Sequence, residues 1–174
     1  MRNEYKATVM IVPILFGLFY AGLGAGIQIS WVYPYDNFTE MYEDSDIVIR
    51  GVVRESHQSL FKWETTHQVT ILEMIKGEKP AHIISVPQKG GQYLPGKIVE
   101  SSSFPLYHKG DELILFLKSS SKSHEVNYYY VSGPQRSYKV LNDKVYPSGT
   151  YYMPQMNSNG TDTSTFIEYL KTIG

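Results

Sequence analysis

The stretch DELILFLKS, residues 111–119, carries the longest unbroken apolar run in the body of the chain. Leu113, Ile114, Leu115, Phe116 and Leu117 follow one another without a polar break. Charged residues bound them on both sides, so the run is too short for a buried helix. It reads as a strand covered on both faces, hence a central one. Its neighbours are then sought on either side. DIVIRGVVRES (46–56) is rich in β-branched residues: Ile47, Val48, Ile49, Val52 and Val53. Gly51 inside it marks a bulge or a tight bend.

HQVTILEMIKG (67–77) is a second flanking strand, with Val69 and Ile71 on one face and Thr70 and Leu72 on the other. KGEKP (76–80) has turn chemistry, and AHIISVPQ (81–88) is a third strand. Pro87 pushes that strand to an edge or an end. KGGQYLPGK (89–97) reads as a loop, and SSSKSHE (119–125) as a polar hairpin tip. VNYYYVSG (126–133), SYKVLNDKVYP (137–147) and TYYMPQ (150–155) continue a meander. Within it, NDK (142–144) is a tight turn between Val140 and Val145.

Two short helices flank the strands. NFTEMYEDSD (37–46) predicts one at about 39–44, capped by Thr39, with Glu40 and Glu43 favoured near its start. TDTSTFIEYLKTIG (161–174) predicts another, with Thr165 and Glu168 as a capping box. Phe166, Ile167, Leu170 and Ile173 form its apolar stripe. Short strands at near-regular spacing point to a mainly β fold, a small barrel or sandwich.

The N-terminus differs from everything after it. Arg2 and Lys6 precede a region with no charge after Lys6 until Asp36. Its apolar part, about Ala7 to Ile29, matches the roughly 20 residues that span a bilayer. Positive charge before it and acidic residues after it place the body outside the cytoplasm. Either a signal peptide is cut near AGLGAG (21–26), or an uncleaved signal anchor remains as a transmembrane helix. The run is long for a signal peptide and lacks a clean small-x-small site, which favours the anchor. The expected organisation is residues 1–35 as signal or anchor, 36–155 as β domain, and 156–174 as linker and terminal helix.

Composition excludes several functions. Sixteen Lys and Arg stand against seventeen Asp and Glu, for a net charge of −1. Nucleic acid binding needs a basic surface, so no nucleic-acid partner is expected. The same balance argues against peptidyl-tRNA hydrolysis by Gly90-Gly91-Gln92, the tripeptide that class I release factors use for it. A phosphate cradle would need a helix after the glycines, and Pro95 and Gly96 oppose one. The tripeptide therefore reads as a turn. There is no cysteine. The five histidines, 57, 67, 82, 108 and 124, make no HxH or HExxH spacing. His67 and His82 lie on adjacent predicted strands and could face each other. No G-x-S-x-G elbow is present. No catalytic, metal or cofactor-binding residue is expected, and the chain reads as non-enzymatic.

Tyrosine is abundant, with fifteen residues. Tyr128, Tyr130, Tyr138 and Tyr146 on alternating strand positions could form a binding face for protein or sugar, or pack in the core. Asn37 and Asn159 head N-glycosylation sequons.

The order of several motifs resembles a known pattern. EDSDIVIRGVV (43–53), VTILEMIKGE (69–78), ISVPQKGGQ (84–92), FPLYHKGDELILFL (104–117) and YYYVSGPQRSYKVLNDKV (128–145) follow one another. This resembles uncharacterised exported bacterial and archaeal proteins whose domain is similar to the OB-fold barrel of the tissue-inhibitor-of-metalloproteinase-like, or netrin-like, group. The resemblance covers about 43–146 and implies a small OB-fold-like antiparallel barrel with short flanking helices. Protease inhibition in that group uses a disulfide-fixed N-terminal cysteine, which this chain lacks, so that activity is not implied. The group's GxQG turn reads Gly133-Pro134-Gln135-Arg136 here, with arginine in place of the second glycine.

The resulting expectation is an extracytoplasmic β-domain, attached to the cell membrane or secreted, that binds a protein or envelope component. The alternatives are an OB-like domain for oligosaccharide or a small ligand, and an accessory subunit of a membrane enzyme complex.

Overall fold

The computed structural model describes residues 35–59, 63–94, 97–101, 103–119, 129–131, 133–151 and 153–174, with the backbone alone at 93, 94, 97–99 and 130. The hydrophobic N-terminal segment lies outside the described residues. Helix α1 (Phe38–Glu43) leads into β1 (Ile47–Ser59), β2 (Glu64–Lys76) and β3 (Ile83–Lys89). A hairpin of β4 (Gly91–Leu94) and β5 (Lys97–Val99) follows. Then come β6 (Glu112–Ser119), β7 (Tyr129–Tyr130), a 3₁₀ turn (Pro134–Arg136), β8 (Ser137–Leu141), β9 (Lys144–Pro147), β10 (Thr161–Asp162) and α2 (Thr163–Thr172).

The strands form one antiparallel sheet in the order β10-β9-β8-β6-β1-β2-β3, while β7 pairs with the end of β6. The fold is mainly β, as the alternation of residues implies. The predicted central strand is central: β6 pairs with β1 on one side and with β8 on the other. All five of its apolar residues are fully buried. Side chains alternate across a strand, so two separate apolar layers result. Ile47, Ile49, Leu113, Leu115 and Leu117 meet Val69, Ile71, Ile84 and Val86 on one face. Val48, Ile114 and Phe116 meet Tyr138, Val140, Val145 and both helices on the other. Each fully buried side chain of this size stabilises the fold by about 2 kcal/mol.

Closure is where the expected barrel and the sheet diverge. Among the described residues, hydrogen-bonded ladders leave β10 and β3 as open ends. Short β7, paired to β6, lies alongside β3 without a ladder between them. The β1–β2 register shifts at three points, one of them between Arg50 and Gly51, where the glycine implied a bulge.

Several elements differ from the sequence reading. Helix α1 is capped by Asn37, whose Oδ1 accepts from Glu40 N at 2.9 Å, rather than by Thr39. Helix α2 starts at Thr163, so Thr165 is its third residue and makes no capping box. The N-cap, Asp162, makes no side-chain cap bond. The stretch 89–97 holds β4 and the start of β5, where a loop was expected. The described residues of 150–155 form turns and no strand. The helix stripe is as read: Phe166, Ile167 and Leu170 are buried in the second layer.

Gly90 and Gly91 take φ of 122° and 129°, conformations that favour glycine. A Cβ on Gly91 would lie 2.6 Å from Thr65 Oγ1, which itself donates to Gly90 O at 2.9 Å. The glycine pair is thus a tight exit from β3 into the hairpin.

Candidate functional site

The four tyrosines do not assemble into one face. Tyr138 pairs with Ile114 and Pro147 and is only 1% exposed, at the centre of an aromatic group with Phe38, Phe116 and Phe166. It is core, not surface. Tyr146 sits opposite Lys139, one position out of phase with Tyr138, and so points to the other side of the sheet. It is half-buried, its ring packs on Gly160, and its hydroxyl donates to Asn159 O at 3.3 Å. Tyr128 and the side chain of Tyr130 lie outside the described residues. Of the sequon residues, Asn37 is half-buried and holds the α1 cap, while Asn159 is exposed in the turn before β10.

His67 and His82 do not face each other. His82 precedes β3 and is exposed, whereas His67 is fully buried opposite Val86. The bonds around His67 define its tautomer. Gln88 Nε2 donates to Pro105 O at 2.8 Å, and Gln88 Oε1 accepts from Tyr107 N at 3.1 Å. The amide oxygen therefore faces His67 Nε2, 3.1 Å away, and that nitrogen must carry the proton. Nδ1 is left as the acceptor for Ser56 Oγ at 2.7 Å. Burial, partly offset by Gln88, lowers the ring's pKa from 6.5 to about 4. A hydroxyl aimed at an imidazole suggests general-base chemistry. So weak a base, oriented by an amide instead of a carboxylate, suits a satisfied core better.

Residues that the sequence reading did not single out form a tighter cluster. Gly133, at φ 108°, turns the chain into Pro134–Arg136, and this sends the Arg136 side chain inward. Arg136 has no exposed surface. Its guanidinium bonds Asp44 and the Tyr35 hydroxyl, donates to Ser45 Oγ at 3.0 Å, and covers the Tyr35 ring 4.8 Å from its centre. Lys118 Nζ reaches Asp44 at 2.5 Å, and the Tyr35 hydroxyl also donates to that carboxylate. Gln135 Nε2 donates to Tyr35 O at 2.7 Å. Burial is the largest single influence on Asp44 and favours its neutral form. Bonds from Lys118 and Tyr35 and the charge of Arg136 outweigh it and lower the pKa. Asp46 is lowered too, because Ser119 N and Oγ both donate to it at 2.7 Å. Arg136 is thus the anchor of a clamp on Tyr35.

A second charged region is open. A cleft of about 550 Å³ separates the start of α2 from the sheet, lined by charged side chains and by Thr163. Arg50 is engaged by Glu112 at 2.6 Å, and Lys171 by Glu73 at 2.7 Å. Asp143, Asp162 and Glu168 are exposed and have no ion-pair partner among the described residues. Asp143 is placed by the β8–β9 turn, where Asn142 and Asp143 have φ of 51° and 59°. Its carbonyl accepts Thr163 N at 2.9 Å. The Thr163 hydroxyl is buried and has no hydrogen-bond partner.

Among the described residues, no group of three or more His, Asp or Glu is arranged to hold a metal, and no helix is long and apolar enough to cross a membrane. No family model matches this chain, and no curated protein matches it.

Proposed function

We propose that this protein is a non-enzymatic extracytoplasmic β-domain that binds a protein or envelope component. In this reading the apolar N-terminal segment either anchors it in the membrane or is removed on export. The clamp at Tyr35 is the observation that carries it. Tyr35, the last residue of the aromatic WVYPY run, is held by Gln135, Arg136 and Asp44, which would keep the body close to the end of an anchor. Gln155 adds a bond from its Nε2 to Asp36 O at 3.4 Å. The pairing of β7 with β6 and its place alongside β3 support the finer reading of an OB-like, netrin-like barrel, in which β7 would bridge β6 and β3. The neutral balance of charge and the weakly basic His67 favour binding over catalysis.

The test is topology. The full chain, carrying a tag after Gly174, is produced in a bacterial host and exposed to protease in intact spheroplasts. The expected result is loss of the tag before lysis, with a mature N-terminus at Met1 or near residues 21–26 by mass spectrometry. A tag that survives until the membrane is lysed overturns the proposal.

A further inference from the structure

We propose that Asn159 is the acceptor for an N-linked oligosaccharide and that Asn37, which heads the other sequon, is not. Both residues begin an Asn-x-Thr triplet, and the fold treats their amides in opposite ways. At Asn37 both ends of the amide are used. Oδ1 accepts from Glu40 N at 2.9 Å, and Nδ2 donates to Glu40 Oε1 at 2.9 Å. Asn37 is half-buried, and Phe38, the middle residue of its sequon, lies in the core. A sugar on Nδ2 would have to displace the Glu40 carboxylate and crowd the start of α1.

Asn159 is held by its backbone instead. Its N–H donates to Asn157 Oδ1 at 3.0 Å, and its carbonyl accepts from the Tyr146 hydroxyl at 3.3 Å. The side-chain amide makes no hydrogen bond among the described residues, and Asn157, Ser158 and Asn159 are all exposed. Gly160 has φ 79°, and a Cβ there would lie 2.6 Å from the Tyr146 ring. Only glycine keeps the turn that presents Asn159 outward. Thr161, which completes the sequon, opens β10, a strand of two residues at the end of the sheet. Lifting it into a transferase gives up only two ladder positions. The folded chain can therefore carry a bulky, solvated glycan at this turn. The donor class is a polyprenyl-diphosphate-linked oligosaccharide. Asn159 Nδ2 bonds to the anomeric carbon, that carbon's bond to the diphosphate oxygen breaks, and polyprenyl diphosphate leaves. The amide proton passes to the transferase.

The acceptor geometry stands on the turn alone; its use in a cell rests on the proposed export. The full chain in phosphatidylcholine nanodiscs is incubated with a single-subunit oligosaccharyltransferase that reads Asn-x-Ser/Thr and with a synthetic polyprenyl-diphosphate oligosaccharide. A free peptide of residues 155–163 is the positive control. Mass spectrometry should find one glycan, on Asn159. Asn159→Gln and Thr161→Ala should each abolish it. Thr39→Ala, which removes the Asn37 sequon and spares the cap, should change nothing. The modified protein should melt within about 2 °C of the unmodified one. A modified peptide beside a folded chain unmodified at Asn159, or equal transfer to Asn37, overturns the inference. Modification in this assay but not in chain secreted from a glycosylating host would count against export and leave the acceptor site standing.

Discussion

The clamp around Arg136 and the cleft beside α2 are both built from charged side chains at the margins of one sheet, yet they differ in how those charges are paired. In the clamp, Arg136 and Lys118 converge on Asp44, and Tyr35 and Ser45 take further bonds from the guanidinium, whose Nε is buried without a partner. The charges neutralise one another inside the fold. In the cleft, carboxylates outnumber cations, and a hydroxyl is buried without a partner. A cluster whose charges are paired contributes to structure, whereas surplus carboxylates at the surface contribute little to it. The charge count alone would not have separated them; the partners do.

Breaking the clamp should have the largest effect. Asp44→Ala leaves Arg136 buried without its carboxylate, a loss of about 3 kcal/mol in denaturant unfolding. Replacing both members, as Asp44→Leu with Arg136→Met, should recover much of that loss, because no charge is then stranded. Full destabilisation by the double variant would mean that the pair is not the coupled unit described.

Acid offers a second way to probe buried polar groups. The folded pKa of His67 is lowered, so the unfolded state binds a proton first as pH falls. Its contribution is complete above pH 6.5 and is lost between 6.5 and about 4. The loss amounts to about 3 kcal/mol. Asp44 and Asp46 are also lowered, so theirs is lost at still lower pH, beneath the ordinary carboxylate value of 3.8. Unfolding measured from pH 7 to 4 should show the His67 slope, and His67→Phe should flatten it. A slope unchanged in that variant would place the titration elsewhere.

Gly91→Val should cost about 2 kcal/mol, since its Cβ would collide with Thr65 Oγ1 at a φ of 129°. Gln92→Ala should change stability by less than about 0.5 kcal/mol. The same small value is expected for Asp162→Asn and Glu168→Gln in the cleft, by thermal melt. A large loss on neutralising the cleft would show that its charges support the fold after all, and would erase the contrast with the clamp.

The strands were legible because their signal is local. LILFL announces a strand covered on both faces, and β6 is so covered; the Asn142-Asp143 turn likewise stands where NDK placed it. Helix starts were less legible, since Asn37 and Thr39 are both competent caps and only the geometry selects between them. The tyrosines misled because one residue of phase separates Tyr138 from Tyr146, and phase is set by pairing partners far along the chain. Neither charged cluster was visible. Asp44 and Arg136 are 92 residues apart, and no periodicity links residues that meet only after the sheet has formed. The one hint was arginine standing where the resembled pattern has glycine.

The distance between the halves of the clamp also sets a timetable. A ribosome delivers Tyr35 a hundred residues before Gln135, so the first turn of the body must wait for its own fastening. Hairpins such as β1–β2 close early, over short loops, whereas the clamp closes one of the longest loops in the molecule. A nascent chain that stops short of Gly133 lacks Gln135 and Arg136 and holds Tyr35 through Asp44 alone. The fastening is thus a late check that the C-terminal half has arrived and folded.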